Sequence, residues 1–398
     1  MDNFIYSNPV KLLFGKGQLD QLAQEILPFG NRVLLIYGRN HIKTTGIYDR
    51  VIKLLKEAKI DWIELEGVES NPKVDLVRKG IRICKDEKID FILAVGGGSC
   101  SDTAKAISMG AMVDYDIWEA YEDFHNVLHG NKGDFTHIPA KALPIGVVMT
   151  KAATGSEFDY TTVLSNRETS EKLMIINKVM YPKFSIDDPE LMGTLPPEQV
   201  AYGVADIMTH IFEQYFTSTP HILSLDRTKE GFLKTVMEAG VRAWKNPQDD
   251  QAQGDLLYVA AWACSDFSMT GTLGGWDSHM IEHEITAISD VNHGLGMAIV
   301  YIGWMKFMVH EIPAKFAHYA EQVWGINRKG RSDLEVGMEG IERTAEFWKS
   351  LGIPLNLKKV VDPSIISQVA KQTVRFGPIG VVKPLHENDV RQILESVI

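Results

Sequence analysis

The sequence predicts an α/β domain with a parallel sheet, followed by a domain built from helices alone. In the first 190 residues, short β-rich runs alternate with amphipathic segments, which is the order of elements in parallel sheets. After about residue 197, apolar residues recur at three- and four-residue spacing, and strand-like alternation is scarce. We therefore expect two domains, 1–190 and 191–398, a number that the length of 398 residues also favours.

The α/β prediction rests on four strands and the segments that connect them. Each strand is a short run rich in β-forming residues, and each connecting segment carries its apolar residues at helical spacing. This alternation indicates one parallel sheet covered on both faces. The strands are "RVLLIYG" (32–38), "DWIELEGVE" (61–69), "DFILAVGGGS" (90–99) and "KALPIGVVMT" (141–150), with helices over 45–60, 73–89 and 102–112.

The predicted helical domain begins near "IDDPELMGTLPPEQ" (186–199). Pro196 and Pro197 stand where the start of a helix tolerates proline. Strong helix formers fill the segments that follow, among them "LSLDRTKEGFLKTVMEAGVRAWK" and "DLLYVAAWACSDFSM". We therefore expect helices to make up the chain from 191 to 398.

Composition argues against several classes of protein. A net charge of −11 argues against a protein that binds nucleic acid or an anionic membrane, although a local loop can still hold a small anion. The three cysteines form no CxxC pair and are odd in number, so a disulfide framework is not expected. No apolar run reaches the roughly eighteen residues that span a bilayer, and the first residues lack a basic segment ahead of an apolar core. We expect a cytoplasmic protein.

Two glycine-containing loops indicate a nucleotide site. "VGGGSCSDTAK" (95–105) ends a predicted strand and opens a predicted helix, so that bare backbone N–H groups can face a phosphate. Ser99 is expected to cap that helix and to donate to an anion. The loop "TKAATGSEFD" (150–159) follows the fourth strand, and two such loops at the ends of parallel strands converge on one crevice. Neither GxGxxG nor GxxxxGK[ST] is present, and a glycine turn alone is often only structural.

Acid and imidazole groups recur at helical spacing in the predicted second domain. Asp206 and His210 are four residues apart in one predicted helix, so their side chains lie on the same face. His279 and His283 repeat this spacing, and His293 follows just before a glycine. Asp206 falls among apolar residues, where an unpaired carboxylate is costly to bury and a cation relieves the cost. One carboxylate with imidazoles suits Zn²⁺ or Fe²⁺, with a position left open for substrate.

Three alternatives to such a catalytic metal site can be considered. Twelve histidines in 398 residues produce some pairs at this spacing by chance. A metalloprotease motif would place glutamate directly after the first histidine, whereas the order here is His279-Met-Ile-Glu-His283, so HExxH is absent. No cysteine joins the candidates, which argues against a structural zinc knot.

Taken together, these motifs resemble the iron-containing (group III) alcohol dehydrogenases, and among them the branch of butanol dehydrogenases and aldehyde reductases. The landmarks run in order along nearly the whole chain, and the ordered set is specific. They are "LLFGKG" (12–17), "VESNP" (68–72), "AVGGGSCSDTAK" (94–105), "TGSE" (154–157), "DDPEL" (187–191), "TLPPEQVAYGVADIMTHIFEQY" (194–215) and "DSHMIEHEITAISDVNHG" (277–294).

The resemblance implies both a fold and a set of site residues. It implies an N-terminal dinucleotide-binding domain with a Rossmann-like parallel sheet and an all-α C-terminal metal-binding domain, an architecture of the dehydroquinate synthase-like type. His283 corresponds to a family position near substrate and nicotinamide. The family's metal ligands correspond to Asp206, His210, His279 and His293, and its cofactor contacts to Asn71, Gly97, Gly98, Ser99, Asp102, Thr150, Thr154 and Lys172.

The implied reaction is hydride transfer between a nicotinamide cofactor and a small primary alcohol or aldehyde. In such an enzyme a metal acts as a Lewis acid on the substrate oxygen, and the cofactor supplies the hydride chemistry. His283 is the candidate proton relay, acting directly or through the nicotinamide ribose. The alternative for His283 is a group that only orients His279.

The turn after the first predicted strand favours NADP(H) over NAD(H). An NAD-selective site is expected to carry an acidic residue there, but the turn reads Gly38-Arg39-Asn40-His41. Arg39 or His41 can pair with a 2′-phosphate and Asn40 can hydrogen-bond to it, which is similar to the NADP-using branch of the family. In the alternative, Arg39 only points into solvent. Lys151 adds charge beside the cofactor loops, and whether it contacts cofactor or solvent stays open.

Several further alternatives stay open on sequence alone. Within the superfamily they are an NAD-dependent glycerol or diol dehydrogenase and a dehydroquinate-synthase-like lyase; outside it, a metal-dependent hydrolase or a catalytically silent nucleotide-binding module. Three imidazoles and a carboxylate accept Fe²⁺ and Zn²⁺ alike. "PVKLLFGKG" (9–17) is a candidate edge strand for pairing with a second subunit, and the resemblance favours a homodimer. The apolar residues that favour a medium-sized, fairly apolar substrate are Trp262, Phe267, Met269 and Trp276.

Overall fold

The computed structural model describes residues 2–128, 135–219 and 221–398. These residues form two compact units. The first unit comprises Ser7–Leu195 and Pro247–Ala261. The second comprises residues 2–6, Pro196–Asn246 and Trp262–Ile398.

A parallel sheet forms the centre of the first unit. The strands of this unit are β1 (Lys11–Phe14), β2 (Arg32–Tyr37), β3 (Asp61–Leu65), β4 (Phe91–Gly96), β5 (Ile145–Met149), β6 (Thr161–Asn166), β7 (Glu171–Ile176) and β8 (Phe184–Asp187). Six of them form one sheet in the order β1-β8-β5-β4-β2-β3, and every neighbouring pair is parallel. The parallel sheet predicted from the sequence is therefore confirmed.

The central strands are apolar along their whole length. Every residue of β4 and of β5 is buried, as expected for parallel strands with both faces covered. The rings of Phe91 and Phe184 stack with their centroids 5.8 Å apart inside the apolar core. Gly146 on β5 makes room for this packing, because a Cβ at that position would lie 2.3 Å from the Phe184 ring.

An antiparallel hairpin of β6 and β7 was not predicted from the sequence. Its register pairs Thr161 with Ile176 at one end and Asn166 with Glu171 at the other. In β6 only Val163 and Leu164 are adjacent apolar residues, and the apolar run of β7 is short, four residues at 173–176, and was not recognised as a strand. The hairpin carries Lys172, one of the predicted cofactor residues.

Helices connect the strands of the first unit; those over 47–57, 74–86 and 98–110 overlap the three predicted from the sequence, and the other three were not predicted. The helix α5 begins at Gly98, two residues after the end of β4, which places its N-terminus at the carboxyl edge of the sheet. The helices are α1 (Leu22–Ile26), α2 (His41–Thr44), α3 (Ile47–Glu57), α4 (Val74–Asp86), α5 (Gly98–Gly110) and α6 (Ile117–Leu128).

The rest of the chain is helical, as predicted. Within its described residues the second unit contains no strand longer than the single bridge between Ile379 and Leu385. No helix in the described ranges is both long and apolar enough to span a membrane. The helices are α7 (Pro197–Tyr215), α8 (Leu223–Lys245), α9 (Asp250–Ala263), α10 (Asp266–Met269), α11 (Asp277–Ser289), α12 (His293–Met308), α13 (Pro313–Trp324), α14 (Asp333–Ser350), α15 (Ile366–Thr373) and α16 (Glu387–Glu395).

The helix α9 packs with the first unit, although it lies in the sequence range 191–398 that was assigned to the helical domain. The ring of Phe14 on β1 meets the ring of Tyr258 edge-on, with centroids 5.9 Å apart. Lys16 forms an ion pair with Asp250 at the start of the helix. These contacts depend on tertiary structure, and helical periodicity alone does not indicate which domain an amphipathic helix joins.

The helix α7 lies at the centre of the second unit, and almost all of its residues are buried. Two glycines allow other helices to approach it closely. A Cβ at Gly240 on α8 would lie 2.7 Å from Val204, and a Cβ at Gly294 on α12 would lie 2.3 Å from the carbonyl oxygen of Tyr202. The close packing of α12 on α7 therefore requires glycine directly after His293.

Candidate functional site

The predicted metal ligands come from three helices of the second unit. Asp206 and His210 lie one turn apart on α7, and both side chains are buried. His279 lies in the first turn of α11 and is also buried. His293 is the first residue of α12, whose start is capped by the side chain of Asn292.

The four predicted ligands lie close together. Single ligand atoms of Asp206, His279 and His293 all fall within 4.8 Å of one another, and Asp206 Oδ1 is 3.5 Å from His293 Nε2. The ring of His210 stacks on that of His279, with centroids 4.9 Å apart and planes inclined by 24°. The rings of His279 and His293 are 5.5 Å apart. One carboxylate and two imidazoles thus meet through their ligand atoms, and the imidazole of His210 stacks beside them without joining this close group.

The environment of Asp206 fits a bound cation. The residue is 2% exposed, and its Oδ1 accepts no hydrogen bond from the residues that the structure describes. A buried carboxylate costs several kcal/mol unless it is paired or coordinates a metal. The donor set, one oxygen with imidazole nitrogens, is the set that Zn²⁺ and Fe²⁺ accept. The residues present therefore suit a divalent metal.

His283, the predicted proton relay, lies beside this group. It follows His279 by one turn of α11, and its ring is 6.4 Å from that of His279 and 5.7 Å from that of His293. Unlike the buried His279, His283 is partly exposed to solvent. Its position next to the candidate ligands and its access to solvent suit a group that exchanges protons.

Two buried glutamates behind the histidines were missed in the sequence analysis. Glu213 Oε1 lies 3.0 Å from His279 Nδ1, and Glu282 Oε2 lies 2.5 Å from His293 Nδ1. Both glutamates are almost fully buried. Each of them stands three residues after a candidate ligand, Glu213 after His210 and Glu282 after His279. This spacing is the signal that could have drawn attention to them.

Of the four apolar residues expected near the metal candidates, Trp276 contacts the histidines directly. Its ring centroid is 5.2 Å from that of His279 and 5.9 Å from that of His210. It holds a left-handed backbone conformation, with φ of 58°, at the residue before α11. Trp262 and Phe267 pack edge-on against each other at 5.2 Å.

The two glycine-containing loops of the first unit lie against each other, as the sequence predicted. A Cβ at Gly98 would lie 2.1 Å from Thr154 Oγ1, and a Cβ at Gly97 would lie 3.5 Å from the Cβ of Lys151. The loops follow β4 and β5, which are adjacent parallel strands whose carboxyl ends share one edge of the sheet. Glycine at position 98 is therefore required for the two loops to meet.

Ser99 was expected to cap α5, and this expectation is wrong. The residue before the helix is Gly97, and Ser99 lies inside the first turn. Its hydroxyl donates to the carbonyl oxygen of Ser70 at 2.6 Å, which ties α5 to the loop after β3. The helix instead begins with bare glycine N–H groups, which remain suited to an anion.

Asp102, a predicted cofactor residue, uses both of its carboxylate oxygens within the protein. Oδ1 accepts a hydrogen bond from Ser156 Oγ at 2.6 Å, and Oδ2 accepts one from the Val163 backbone N–H at 3.0 Å. Burial raises the pKa of Asp102 to about 6, against the opposing effect of the Lys105 ammonium. The side chain thus joins the loop after β5 and the hairpin to α5.

The remaining cofactor candidates also lie in the first unit. Lys172 Nζ, on β7, is 3.5 Å from Asn71 Oδ1, and both side chains are buried. Thr150 directly follows β5, and its backbone N–H donates to the carbonyl oxygen of Gly96 at 3.0 Å. Lysine and asparagine side chains paired in this way can both donate to phosphate or ribose oxygens.

The turn that was expected to select the cofactor follows β2. Arg39 and Asn40 are exposed there. His41 Nε2 lies 3.3 Å from the hydroxyl of Thr194, so this ring already has a contact within the unit. The carbonyl oxygen of Gly38 accepts a hydrogen bond from the Gly67 N–H at 3.0 Å, which links the turns after β2 and β3.

Comparison with known proteins places this architecture in a family. The family model "Iron-containing alcohol dehydrogenase" matches residues 9–189, and the model "Fe-containing alcohol dehydrogenase family, C-terminal" matches residues 200–398. The chain is 38% identical, over the full length of both proteins, to the probable NADH-dependent butanol dehydrogenase 1 of Bacillus subtilis. It is 34% identical to the NADPH-dependent aldehyde reductase YqhD of Escherichia coli, covering 95% of this chain and 94% of that one.

A solved structure gives the same result. The NADH-dependent butanol dehydrogenase A of Thermotoga maritima matches with a TM-score of 0.93 and 34% identity, over 100% of this chain and 99% of that one. The family and the fold predicted from the ordered motifs are therefore confirmed. This chain belongs to the iron-containing alcohol dehydrogenase family.

Proposed function

We propose that this chain transfers a hydride between NADP(H) and a small primary alcohol or aldehyde, with a divalent metal held by Asp206, His210, His279 and His293. The observation that carries the proposal is the approach of ligand atoms from Asp206, His279 and His293 to within 4.8 Å of one another. Family membership supports the same chemistry, because alcohol oxidation with a nicotinamide cofactor and a divalent metal is typical of the family.

The names of the relatives support an aliphatic substrate. The Bacillus and Thermotoga proteins are named as butanol dehydrogenases and the Escherichia protein as an aldehyde reductase. The indole of Trp276, packed against two of the proposed ligands, adds apolar surface that favours an alkyl chain over a polyhydroxy acid. A four-carbon aldehyde such as butanal is therefore the first substrate to test.

A bound divalent ion supplies Lewis acidity toward the substrate oxygen. Among the proposed ligands, Asp206 carries the only formal negative charge, so it offsets part of the ion's charge in a buried setting. The histidines ligate as neutral imidazoles. Such a set binds both Fe²⁺ and Zn²⁺.

His283 is proposed to supply the proton that the substrate oxygen needs when an aldehyde is reduced, and to accept it in the reverse direction. Its partial exposure gives it a route for exchange with solvent. The alternative role, orienting His279, has less support, because Glu213 already contacts His279 Nδ1.

The cofactor is proposed to bind along the carboxyl edge of the sheet in the first unit. Backbone N–H groups of Gly97, Gly98 and Ser99 at the start of α5 suit its phosphates. Lys172 adds a positive charge beside Asn71. Asp102 is proposed to act by holding the loop that contains Ser156 and Thr154 in place, since its own oxygens are occupied.

We propose NADP(H) as the preferred cofactor. The turn after β2 exposes Arg39 and Asn40 and carries no acidic side chain between Gly38 and His41. A carboxylate would repel a 2′-phosphate, whereas a guanidinium binds it in a bidentate manner. Relatives of both kinds exist, since the Bacillus protein is named for NADH and the Escherichia protein for NADPH. The preference therefore rests on this turn.

Three broader features complete the proposal. We take 1–190 as the cofactor domain and 191–398 as the metal domain, with the helix α9 of the latter range packed in the first unit. We propose a homodimer, supported by the position of β1 at the edge of the parallel sheet, where its free side can pair with another chain. We also propose a cytoplasmic location, which the small number of cysteines favours.

The function is tested by following NADPH absorbance with butanal, using protein as purified, after chelator treatment, and after addition of Fe²⁺ or Zn²⁺. We expect butanal to oxidise NADPH in the presence of the purified protein, and we expect this oxidation to be lost on chelation and restored by one of the two ions. NADH measured in parallel reports the cofactor preference. A hydrolase or a silent nucleotide-binding protein would leave NADPH unchanged with every aldehyde and ion, and that result would overturn the proposal.

The ligand assignment has its own control. Asp206→Ala is expected to abolish metal retention during gel filtration while leaving NADPH binding largely intact, because the cofactor candidates lie on the other unit. Full metal content in this variant would show that the ligands lie elsewhere.

A further inference from the structure

Two carboxylates determine which nitrogen of two histidines can face a metal. An imidazole has two ring nitrogens, and a partner on one of them fixes both the tautomer and the orientation of the ring. Nδ1 of His279 is 3.0 Å from Glu213 Oε1, and Nδ1 of His293 is 2.5 Å from Glu282 Oε2. Both rings therefore direct Nε2 away from their glutamate, and Nε2 of His293 is the atom that faces Asp206.

We propose that Glu213 and Glu282 are positioning residues that hold His279 and His293 in the ligating orientation and thereby strengthen metal binding. The inference rests on the proposed metal site, and it concerns side chains that are neither proposed ligands nor proposed cofactor contacts. A carboxylate behind a ligating histidine increases the basicity of the imidazole and limits its rotation, and loss of such a partner typically weakens metal binding about tenfold to hundredfold.

Glu213 positions the helix as well as the ring. Its Oε1 also accepts hydrogen bonds from the hydroxyl of Ser278 and, at 3.2 Å, from the backbone N–H of His279. A carboxylate on α7 therefore holds the first turn of α11, where helix N–H groups lack partners within the helix. The two effects can be separated, because Ser278→Ala removes one contact to the helix but leaves the contact to His279 Nδ1.

Glu282 reaches His293 through space that a glycine leaves free. A Cβ at Gly296 on α12 would lie 2.7 Å from Glu282 Oε1 and 2.9 Å from its Cγ. The two carboxylate oxygens have different partners: Oε1 accepts a hydrogen bond from the hydroxyl of Thr286, and Oε2 contacts Nδ1 of His293. Gly296→Ala should therefore displace the Glu282 carboxylate without removing it.

The same unit offers a matched control. Glu230 is 2% exposed, and its Oε1 lies 2.9 Å from Nε2 of the partly exposed His318 and accepts a hydrogen bond from the hydroxyl of Tyr215, so it is a buried carboxylate that contacts a histidine away from the proposed ligands. His318 is not one of the proposed ligands. Ligand atoms of His318, His221 and Asp226 also lie within 4.8 Å of one another, but the Asp226 carboxylate is already paired with the ammonium of Lys315 at 2.7 Å, which argues against a second cation there.

The test is Zn²⁺ affinity measured by competition with a chromophoric chelator, together with the visible spectrum of the Co²⁺-loaded protein. For E213Q, E282Q and G296A we expect about tenfold to hundredfold weaker Zn²⁺ binding and an altered Co²⁺ spectrum. S278A and E230Q should bind Zn²⁺ as the unmodified protein does, even where they lower thermal stability. Circular dichroism and NADPH binding identify the variants that remain folded.

The outcomes separate this inference from the proposed function. Unchanged affinity in E282Q and G296A, with metal lost in D206A, would overturn the positioning role and leave the metal site standing. Metal retained in D206A would overturn the site itself. A loss of affinity in E230Q equal to that in E282Q would show a general effect of stability, and this would also overturn the inference.

Discussion

Lys229 provides a quantitative test of burial in the helical unit. Its side chain is 2% exposed on α8, and its ammonium donates to the carbonyl oxygen of Gln214 at 2.6 Å. Burial lowers the pKa of this amine from 10.5 to about 8, and the nearby ammonium of Lys315 acts in the same direction. The difference between 10.5 and about 8 corresponds to about 3 kcal/mol of unfolding free energy.

The sign of the effect follows from proton binding. Between pH 8 and pH 10.5 the amine has lost its proton in the folded chain but retains it in the unfolded chain. Because the unfolded chain then binds more protons, this group makes stability rise with pH across the window. Below pH 8 both states are charged, and the folded state bears the full cost of about 3 kcal/mol. Above pH 10.5 the amine is neutral in both states, so the cost of burying its charge disappears.

The variant Lys229→Met removes the titrating group and keeps a chain of similar length. At neutral pH it should be close to the unmodified protein in stability, because loss of the hydrogen bond to Gln214, worth about 1–3 kcal/mol, offsets the relieved burial of charge. As pH rises from 8 to 10.5, the unmodified protein should gain about 3 kcal/mol relative to the variant.

Urea unfolding at a series of pH values measures this difference, with Lys234→Met, an exposed position on the same helix, as the control. Stability curves for Lys229→Met and the unmodified protein that run parallel across the window would refute the reasoning. A lysine ¹³C resonance that is absent from Lys229→Met and titrates near pH 8 would confirm it directly.

Two further predictions concern the cofactor loops. Arg39→Asp should lower the ratio of kcat/KM for NADPH to that for NADH about tenfold or more, because a charge-assisted hydrogen bond is worth about 1.5–3 kcal/mol; an unchanged ratio would remove Arg39 from the cofactor site. Gly98→Ala should weaken NADPH binding at least about tenfold without changing metal content, because its Cβ would lie 2.1 Å from Thr154 Oγ1 and force the two loops apart. Gly231→Ala, at a helical position where a Cβ meets nothing within 4 Å, is the control, and tight NADPH binding in Gly98→Ala would refute the role of that contact.

The sequence was most informative where burial produces a simple pattern. The strands β2, β4 and β5 were predicted because parallel strands with two covered faces are continuous apolar runs. The strand β6 has no such run and that of β7 is only four residues long, and the register of their hairpin depends on pairing between the two strands. Strand pairing of that kind depends on tertiary contacts, which the order of apolar and polar residues along one strand does not reveal.

Helix ends were harder to predict than helix interiors. The serine at position 99 has the chemistry of a cap, but the turn after β4 brings the carbonyl oxygen of Ser70 within 2.6 Å of its hydroxyl. The hydroxyl donates to that oxygen, and the helix begins one residue earlier, at Gly98. The hydroxyl of Ser99 is chemically suited to cap a helix, but its hydrogen bond to the loop after β3 determines where it actually lies.

The positions of the candidate ligands on one helix can be predicted from sequence spacing, whereas the contacts of the glutamates behind them depend on how the helices pack. Asp206 and His210 share one face of α7, so their spacing alone predicts that they lie together. The contact between Glu213 and His279 joins α7 to α11, and it exists only because those helices pack at a particular depth. Sequence spacing marks Glu213 as a candidate, but it does not reveal which histidine it supports.

The segment His293-Gly-Leu-Gly296 is a short stretch of sequence whose residues determine contacts between distant parts of the chain. Its first residue provides a proposed ligand. Gly294 lets α12 approach the carbonyl oxygen of Tyr202 on α7, which brings that ligand toward Asp206. Gly296 leaves the space through which Glu282 reaches Nδ1 of the same histidine. Because each glycine serves a different neighbour, alanine at 294 should move the whole start of α12, whereas alanine at 296 should disturb only the support of the ligand.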